Sequence, residues 1–223
     1  MRTVVFLQTS SMSLFNQADI QSWERFYRAN FINSLTGFKS ASLVGTVDKN
    51  GQTNLGIFSS IVHIGSDPSL VGYINRPRKA APHTLANIET NGEYTINHIQ
   101  ASFLEQAHQT SAKYPEGISE FEEVGLTPEF IGDIAAPFVK ESTVKYALHL
   151  EEIIPITINE TFLVIGRIHT VHLPDELIQP DGFIDIHKAG SICSTGIDSY
   201  YHTVPVGRYQ YAKPGKSAEK IES

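Results

Sequence analysis

Along the 223-residue chain, apolar and polar positions alternate with period two in some stretches and cluster at helical spacing in others, and these patterns predict the elements. The run "ADIQSWERFYRANFINSL" (18–35) predicts a helix. Asp19 or Ser22 is its expected cap, Trp23, Phe26, Phe31 and Leu35 are available to a buried face, and Gly37 ends it. "KSASLVGTVDKNGQTNLG" predicts a hairpin, because Asn50-Gly51 supplies the positive φ angles of a tight turn. The stretch Thr53 to Ile74 then reads as two strands around the turn Ser66-Asp67-Pro68-Ser69. Its first half breaks the rule of a one-sided strand: Asn54, Gly56, Ser59, Ser60 and His63 are scattered among Leu55, Ile57, Phe58, Ile61 and Val62.

Beyond that turn the strand "LVGYI" leads into a loop with two prolines and three cations. A short helix "TLANIET" is expected to start near Thr84 and close at Asn91-Gly92, before a strand over 93–99. Residues 101–131 read as an insertion of short helices. "SFLE" and "SEFE" both fit the reciprocal capping pattern, and Gly125 is the expected stop after the second. "STVKYALHLEEI" returns to alternation, with Val144, Tyr146, Leu148 and Leu150 on one face. "TFLVIGRIHTVHL" is a further strand, and the tail from Ser199 is rich in tyrosine and expected to fray after Pro214. Six or so strands with hairpin links and two helical excursions predict a mainly β protein, a barrel with added short helices. No repeat or linker divides the chain, so residues 1–223 read as one domain. No G-x-G-x-x-G follows a strand, which speaks against a Rossmann domain.

Composition narrows the function. With 41% hydrophobic and 18% charged residues, a packed core is expected and disorder is not. The formal net charge of −7, without a Lys/Arg run, argues against a nucleic-acid partner. No stretch approaches the roughly 20 apolar residues of a membrane span, and "MRTVVFLQTSSMS" lacks a secretory pattern; a cytoplasmic protein is expected. Cys193 stands alone, which excludes an internal disulfide and a thiolate zinc site. "GSICSTG" around it carries no nucleophile signature and reads as a loop or strand end. No metal site is expected: His169 and His172, three apart on a strand, point to opposite faces, while His63 and His98 would have to meet across the sheet.

Two places could carry chemistry. The loop "NRPRKAAPHT" brings Arg76, Arg78 and Lys79 to a helix mouth holding His83 and Thr84. There free N–H groups and the helix dipole suit a phosphate, unless the loop is simply basic and solvated. In the irregular strand, Gly56 would let a flat ligand approach the backbone, and Ser59 and Ser60 could bond its polar edge; a bulged barrel strand is the alternative.

Taken together, these stretches resemble the flavin reductase-like family of FMN-binding split barrels. "NLGIFSSIVHIGSDPSLVGYI" is similar to a family strand of the N-[SL]-[AF]-P-F-S type that ends at S-x-D-P-P and is followed by L-V-x-F. "RPRKAAPHTLANIETNGEYTINHI" is similar to the basic loop, R-H-T-like triplet, A-x-N-I helix and Y-T-I-N strand that come next. "DSYYHTVPVGRYQYAKPG" looks like the closing segment of one branch, R-Y-x-Y-A-[RK]-P. The likeness covers roughly residues 28–214 and is strongest over 53–99. Ile57 replaces a common proline, Ser69 the second proline of D-P-P, and Val62 stands where several relatives carry a polar residue.

The resemblance implies a Greek-key split β-barrel that forms a homodimer and holds FMN in a groove at or near the subunit interface. Asn54, Leu55, Gly56, Ile57, Phe58, Ser59 and Ser60 would line the flavin, with backbone amides around the two serines facing the ring. His83 and Thr84 would meet the phosphate, with Arg76 in the same loop and Arg78 and Lys79 beside it. It also implies NAD(P)H:flavin oxidoreductase activity, with NADH or NADPH as hydride donor. The alternative is a flavoredoxin-like carrier that exchanges electrons with a protein partner. No catalytic side chain is nominated. Residues 101–131 would shape entry to the groove, and Tyr200, Tyr201, Tyr209 and Tyr211 would pack either the dimer or the core.

Overall fold

A computed structural model describes residues 12–115 and 117–221. The first region departs from the single helix expected over 18–35. Two helices form, α1 (Gln17–Ser22) and α2 (Arg25–Leu35), broken where Trp23 and Glu24 are extended. Asn16, not Asp19 or Ser22, caps α1, and Asp19 completes the reciprocal box by accepting the Asn16 N–H. Glu24 caps α2 by accepting from the Phe26 and Tyr27 amides at 2.8 and 3.2 Å. Neither helix buries a face on the barrel: Phe26 is 68% and Leu35 69% exposed. Trp23 and Phe31 pack instead with Phe15 in an edge-to-face cluster, at centroid distances of 4.9–5.7 Å.

The strands that follow are β1 (Lys39–Ser40), β2 (Ser42–Val47), β3 (Thr53–Phe58), β4 (Ile61–Ser66) and β5 (Ser69–Asn75). The stretch 53–74 is thus three strands, since Ser59-Ser60 interrupts the first. Helix α3 (Pro82–Asn91) begins two residues before the expected Thr84, because proline at the first helical position needs no N–H partner. Gly92, at φ 71°, closes it and opens β6 (Glu93–His98). The insertion carries a 3-10 turn, α4 (Leu104–Gln109), α5 (Glu120–Val124) and the short pair β7 (Pro128–Glu129) and β8 (Phe138–Val139). Neither expected capping box forms: "SFLE" falls across the 3-10 turn, and Ser119, before α5, makes no cap bond. Gly125 ends α5 at φ 73°. Two long strands, β9 (Lys145–Ile156) and β10 (Thr161–His172), form the next hairpin, and β11 (Cys193–Thr195) and β12 (Ser199–Tyr201) complete the list. Past β12 the tail doubles back: Gln210 N–H donates to Glu219 O and Ile221 N–H to Arg208 O, so the chain beyond Pro214 is tied rather than frayed.

Seven strands form one antiparallel sheet in the order β3-β2-β6-β9-β10-β5-β4. Its two edges, β3 and β4, are consecutive in the chain. Laid flat, six strand spacings would hold them about 29 Å apart, yet Phe58 and Ile61 are joined by a linker reaching about 11 Å at most. The sheet must therefore curl on itself, and Ile74 N–H donates to Ser60 O at the corner where the edges meet. The result is a Greek-key split barrel, the fold class the sequence predicts.

This topology also explains the irregular strand. Inside the barrel, Val44, Tyr73, Tyr94, Ile96, Leu148 and Val164 pack with Leu85 and Ile88 of α3, and Phe58 joins them. Outside it, Leu43, Leu55, Phe103, Phe121, Val139 and Ile192 form a second core beneath the insertion, and Ile57 joins that one. Covered on both sides, β3 has no need to alternate apolar with polar. Tyr146, Leu148 and Leu150 share the inner face as expected, whereas Val144, just before β9, packs with Leu177 and Ala189.

Candidate flavin site

Where β3 leaves the sheet edge, a cavity of about 710 Å³ opens between the barrel corner, the start of α3 and the insertion. One wall is the whole of Asn54, Leu55, Gly56, Ile57, Phe58, Ser59 and Ser60. Asn54 Nδ2 donates to Thr84 Oγ1 at 3.1 Å and to Thr46 Oγ1 at 3.3 Å, which ties β3 to the first turn of α3. A Cβ on Gly56 would sit 3.1 Å from Phe58 Cε2 and 3.6 Å from Thr84 Oγ1, so this glycine keeps open a space that a side chain would fill.

The opposite wall is the mouth of α3, where His83 and Thr84 line the cavity together with Arg76 and Lys79 of the preceding loop. Ala81, the residue before the helix, offers no side-chain cap, and Pro82 has no N–H. The amides of His83 and Thr84 are therefore the two donors that the helix itself leaves unpaired. Among the described residues neither Arg76 nor Lys79 pairs with a carboxylate within 4 Å. Arg78 is placed elsewhere: it does not line the cavity, and both ends of its guanidinium are held by Glu89 at 2.7 and 2.5 Å.

Glu120 is the site residue that sequence reasoning missed. It lines the cavity, is 7% exposed, and accepts the buried Leu55 N–H through Oε2 at 3.0 Å. Burial pushes its carboxyl above the usual range, with the Leu55 amide and the nearby His83 pulling partly back. The neighbouring Ser119 hydroxyl lies 2.7 Å from Thr53 Oγ1, so the start of α5 is pinned along the edge of β3 at two points. Because bonding direction alternates along an antiparallel edge, Ile57 N–H points the same way as Leu55 N–H, into the open side of the strand.

His108 Nδ1 and Tyr200 OH are 2.8 Å apart at the rim, which joins the insertion to β12. Ser194 also lines the cavity; its Oγ is buried and has no hydrogen-bond partner. Cys193 beside it is half-buried, its thiol 3.6 Å from Tyr201 O. Neither His169 with His172 nor His63 with His98 comes together: His169 meets His149 edge to face at 4.3 Å and His172 meets Phe138 edge to face at 5.2 Å, while His63 is exposed and His98 is held by Ser191. Among the described residues, no group of three or more His, Cys, Asp or Glu could hold a metal, and no helix is long and apolar enough to cross a membrane.

Residues 37–190 match the family model described as the flavin reductase like domain, over half of the chain. The chain belongs to the flavin reductase-like family. A split-barrel protein from Shewanella frigidimarina NCIMB 400, provisionally named a flavin reductase, is 48% identical, covers 90% of this chain and all of its own, and superposes with a TM-score of 0.87. Two more distant structures share the fold. Nitrilotriacetate monooxygenase component B from Bacillus cereus is 21% identical over 92% of this chain and all of its own, with a TM-score of 0.77. Flavoredoxin of Desulfovibrio vulgaris (Miyazaki F) is 23% identical over 81% of this chain and 93% of its own, with a TM-score of 0.66. Family membership makes a flavin the cofactor and oxidoreduction the chemistry. The cavity suits such a group: a wall that glycine keeps open, an edge with a free amide, an orphaned buried hydroxyl, and a cationic helix mouth.

Proposed function

We propose that this flavin reductase-like protein binds FMN in the 710 Å³ cavity and reduces it with hydride from NADH or NADPH. One observation supports the reading most directly. The uncapped start of α3, with Arg76, Lys79, His83 and Thr84, opens into the same space as Asn54–Ser60. A helix mouth with free amides and unpaired cations suits a doubly charged phosphate. An edge strand with close backbone suits a flat heterocycle.

Bound flavin supplies the hydride-accepting ring. The protein's part is to hold and to polarise. Ile57 N–H and the serines at 59 and 60 would donate to the ring's polar edge, where negative charge grows on reduction. Gly56 would let the ring lie against the strand, and Arg76, Lys79 and the amides of His83 and Thr84 would anchor the phosphate. No side chain needs to act as acid or base, in keeping with the lack of a nominated catalytic residue. The protein would work as a cytoplasmic homodimer; the exposed apolar side chains of Phe26, Leu35 and Phe38 favour a second copy as cover.

The test is anaerobic titration of the FMN-loaded protein. Bleaching of the visible flavin band by NADH or NADPH is expected. If dithionite bleaches it and neither nicotinamide does, the protein is a flavoredoxin-like carrier that takes electrons from a protein partner. Failure to bind FMN at all would overturn both readings.

A further inference from the structure

A third side of the 710 Å³ cavity is formed by the end of α4 with β11 and β12, and the proposed flavin contacts do not use it. Three polar groups meet there. Ser194 and Tyr200 are direct partners in the β11–β12 ladder, so their side chains leave the same face of it, about 5 Å apart at Cβ. Both residues line the cavity. The Tyr200 oxygen lies 2.8 Å from His108 Nδ1, and His108 is exposed at the rim. Ser194 is 6% exposed, and its Oγ has no hydrogen-bond partner. A buried hydroxyl left without a partner is rare in a folded protein and calls for a cause. Burial and the nearby Asp198 hold the Tyr200 phenol above its ordinary range, so it keeps its proton at neutral pH.

We infer that this side is an acceptor subsite for a quinone, reduced by the flavin bound in the same cavity. The inference rests on the flavin reading above. Two neutral O–H groups side by side suit one carbonyl oxygen, and their bonds strengthen as that oxygen takes on negative charge. With a proton on Nδ1, His108 donates to the Tyr200 oxygen, which frees the Tyr200 O–H for the ligand. Ile197 and Tyr114 also line the cavity and offer a flat ring apolar contact. The step balances. A hydride from the reduced flavin forms one O–H bond of the quinone, and the ring's electrons shift onto its second oxygen, the one held by Ser194 and Tyr200. That oxygen takes the Tyr200 proton. His108 returns its Nδ1 proton to Tyr200 while its other nitrogen takes one from solvent at the rim. The quinone leaves as hydroquinone, and the flavin is oxidised. Tyr200 is thus the proton donor, with Ser194 as the second hydrogen-bond donor.

Tetramethyl-1,4-benzoquinone is the probe, because it has no free ring carbon to which Cys193 could add. Two measurements use the full-length, FMN-loaded protein. Isothermal titration of the oxidised form should show saturable binding of the quinone. Tyr200→Phe and Ser194→Ala should each weaken it about three- to tenfold, the scale of one neutral hydrogen bond. In anaerobic stopped flow, protein reduced with dithionite is reoxidised by the quinone or by ferricyanide, which takes electrons without a proton. Dithionite makes the result independent of the natural donor. Tyr200→Phe should slow the quinone about 100-fold relative to ferricyanide, the usual worth of a positioned proton donor. No saturable quinone binding, or a quinone-to-ferricyanide ratio that Tyr200→Phe leaves unchanged, overturns the inference while FMN still binds. Failure of the unaltered protein to bind FMN would instead overturn the flavin reading.

Discussion

Glu120 offers the sharpest perturbation, because two substitutions separate its hydrogen bond from its charge. Leu55 is fully buried, and its N–H has the Glu120 carboxylate as partner at 3.0 Å. Glu120→Ala leaves that amide buried and unbonded, at a cost of about 1–3 kcal/mol. Glu120→Gln keeps an oxygen acceptor of the same reach. It also removes a buried charge that has no cation within salt-bridge distance among the described residues, so stability should stay level or rise. Urea unfolding of the flavin-free protein at pH 7 measures both. With a slope of about 2 kcal/mol per molar, the alanine midpoint falls by about 0.5–1.5 M and the glutamine midpoint does not. Glutamine should also bind FMN more tightly than the parent, since a negative charge near the His83 end of the cavity is gone. If glutamine destabilises as much as alanine, or alanine leaves the midpoint unchanged, the bond between α5 and β3 does not hold that edge.

Other outcomes follow from the same geometry. Thr84→Ala, which keeps the amide and removes the hydroxyl, should weaken FMN binding by about 5- to 150-fold if that hydroxyl also donates to the phosphate, the worth of one hydrogen bond to a charged group; an unchanged dissociation constant by fluorescence titration removes the Thr84 hydroxyl from the site. Gly56→Val should weaken FMN binding by about tenfold or more, because the new side chain enters the cavity and presses on Phe58, 3.1 Å away at Cβ; isothermal titration with FMN checks it. Burial holds the His98 imidazole down at about 4. The unfolded chain then takes up a proton that the folded one refuses, so stability falls as pH drops from about 6.5 towards 4, by up to about 3 kcal/mol in all. His98→Gln should flatten that part of the denaturation profile, and Glu120, raised in both proteins, cancels from the comparison.

What could be read from the sequence is what is local. Gly51, Gly92 and Gly125 mark a turn and two helix stops through the positive φ angles that they themselves adopt, although Asn50 does not share Gly51's. The break at Trp23 and Glu24 was hidden because glutamate is not a favoured cap, although its carboxylate takes two amides. "SEFE" misled for the opposite reason. It carries a local capping pattern, but Ser119 and Glu120 spend their side chains on Thr53 and Leu55, 66 and 65 residues away. The pairing of Arg78 with Glu89 likewise needs the turn of α3 to bring the two together; as sequence, three cations in one loop are equivalent. The one clue to Glu120 was an acid placed straight after Ser119 in a helix too short to need three carboxylates.

The topology then explains why the site lies on an edge. The two edge strands β3 and β4 meet at the Ser59-Ser60 corner without pairing along their length, so β3 keeps unpaired amides. Exposed edges of this kind recruit other chains unless they are covered. Here the insertion covers the first part, with Glu120 on Leu55 and Ser119 on Thr53, and Ile57 is the next outward amide along the strand. The opening left there faces the bare start of α3, because Asn54 fastens that helix to the same strand. The split in the barrel, the free backbone donor and the cationic helix mouth thus share one cause, and a planar ligand with an anionic tail fits all three at once.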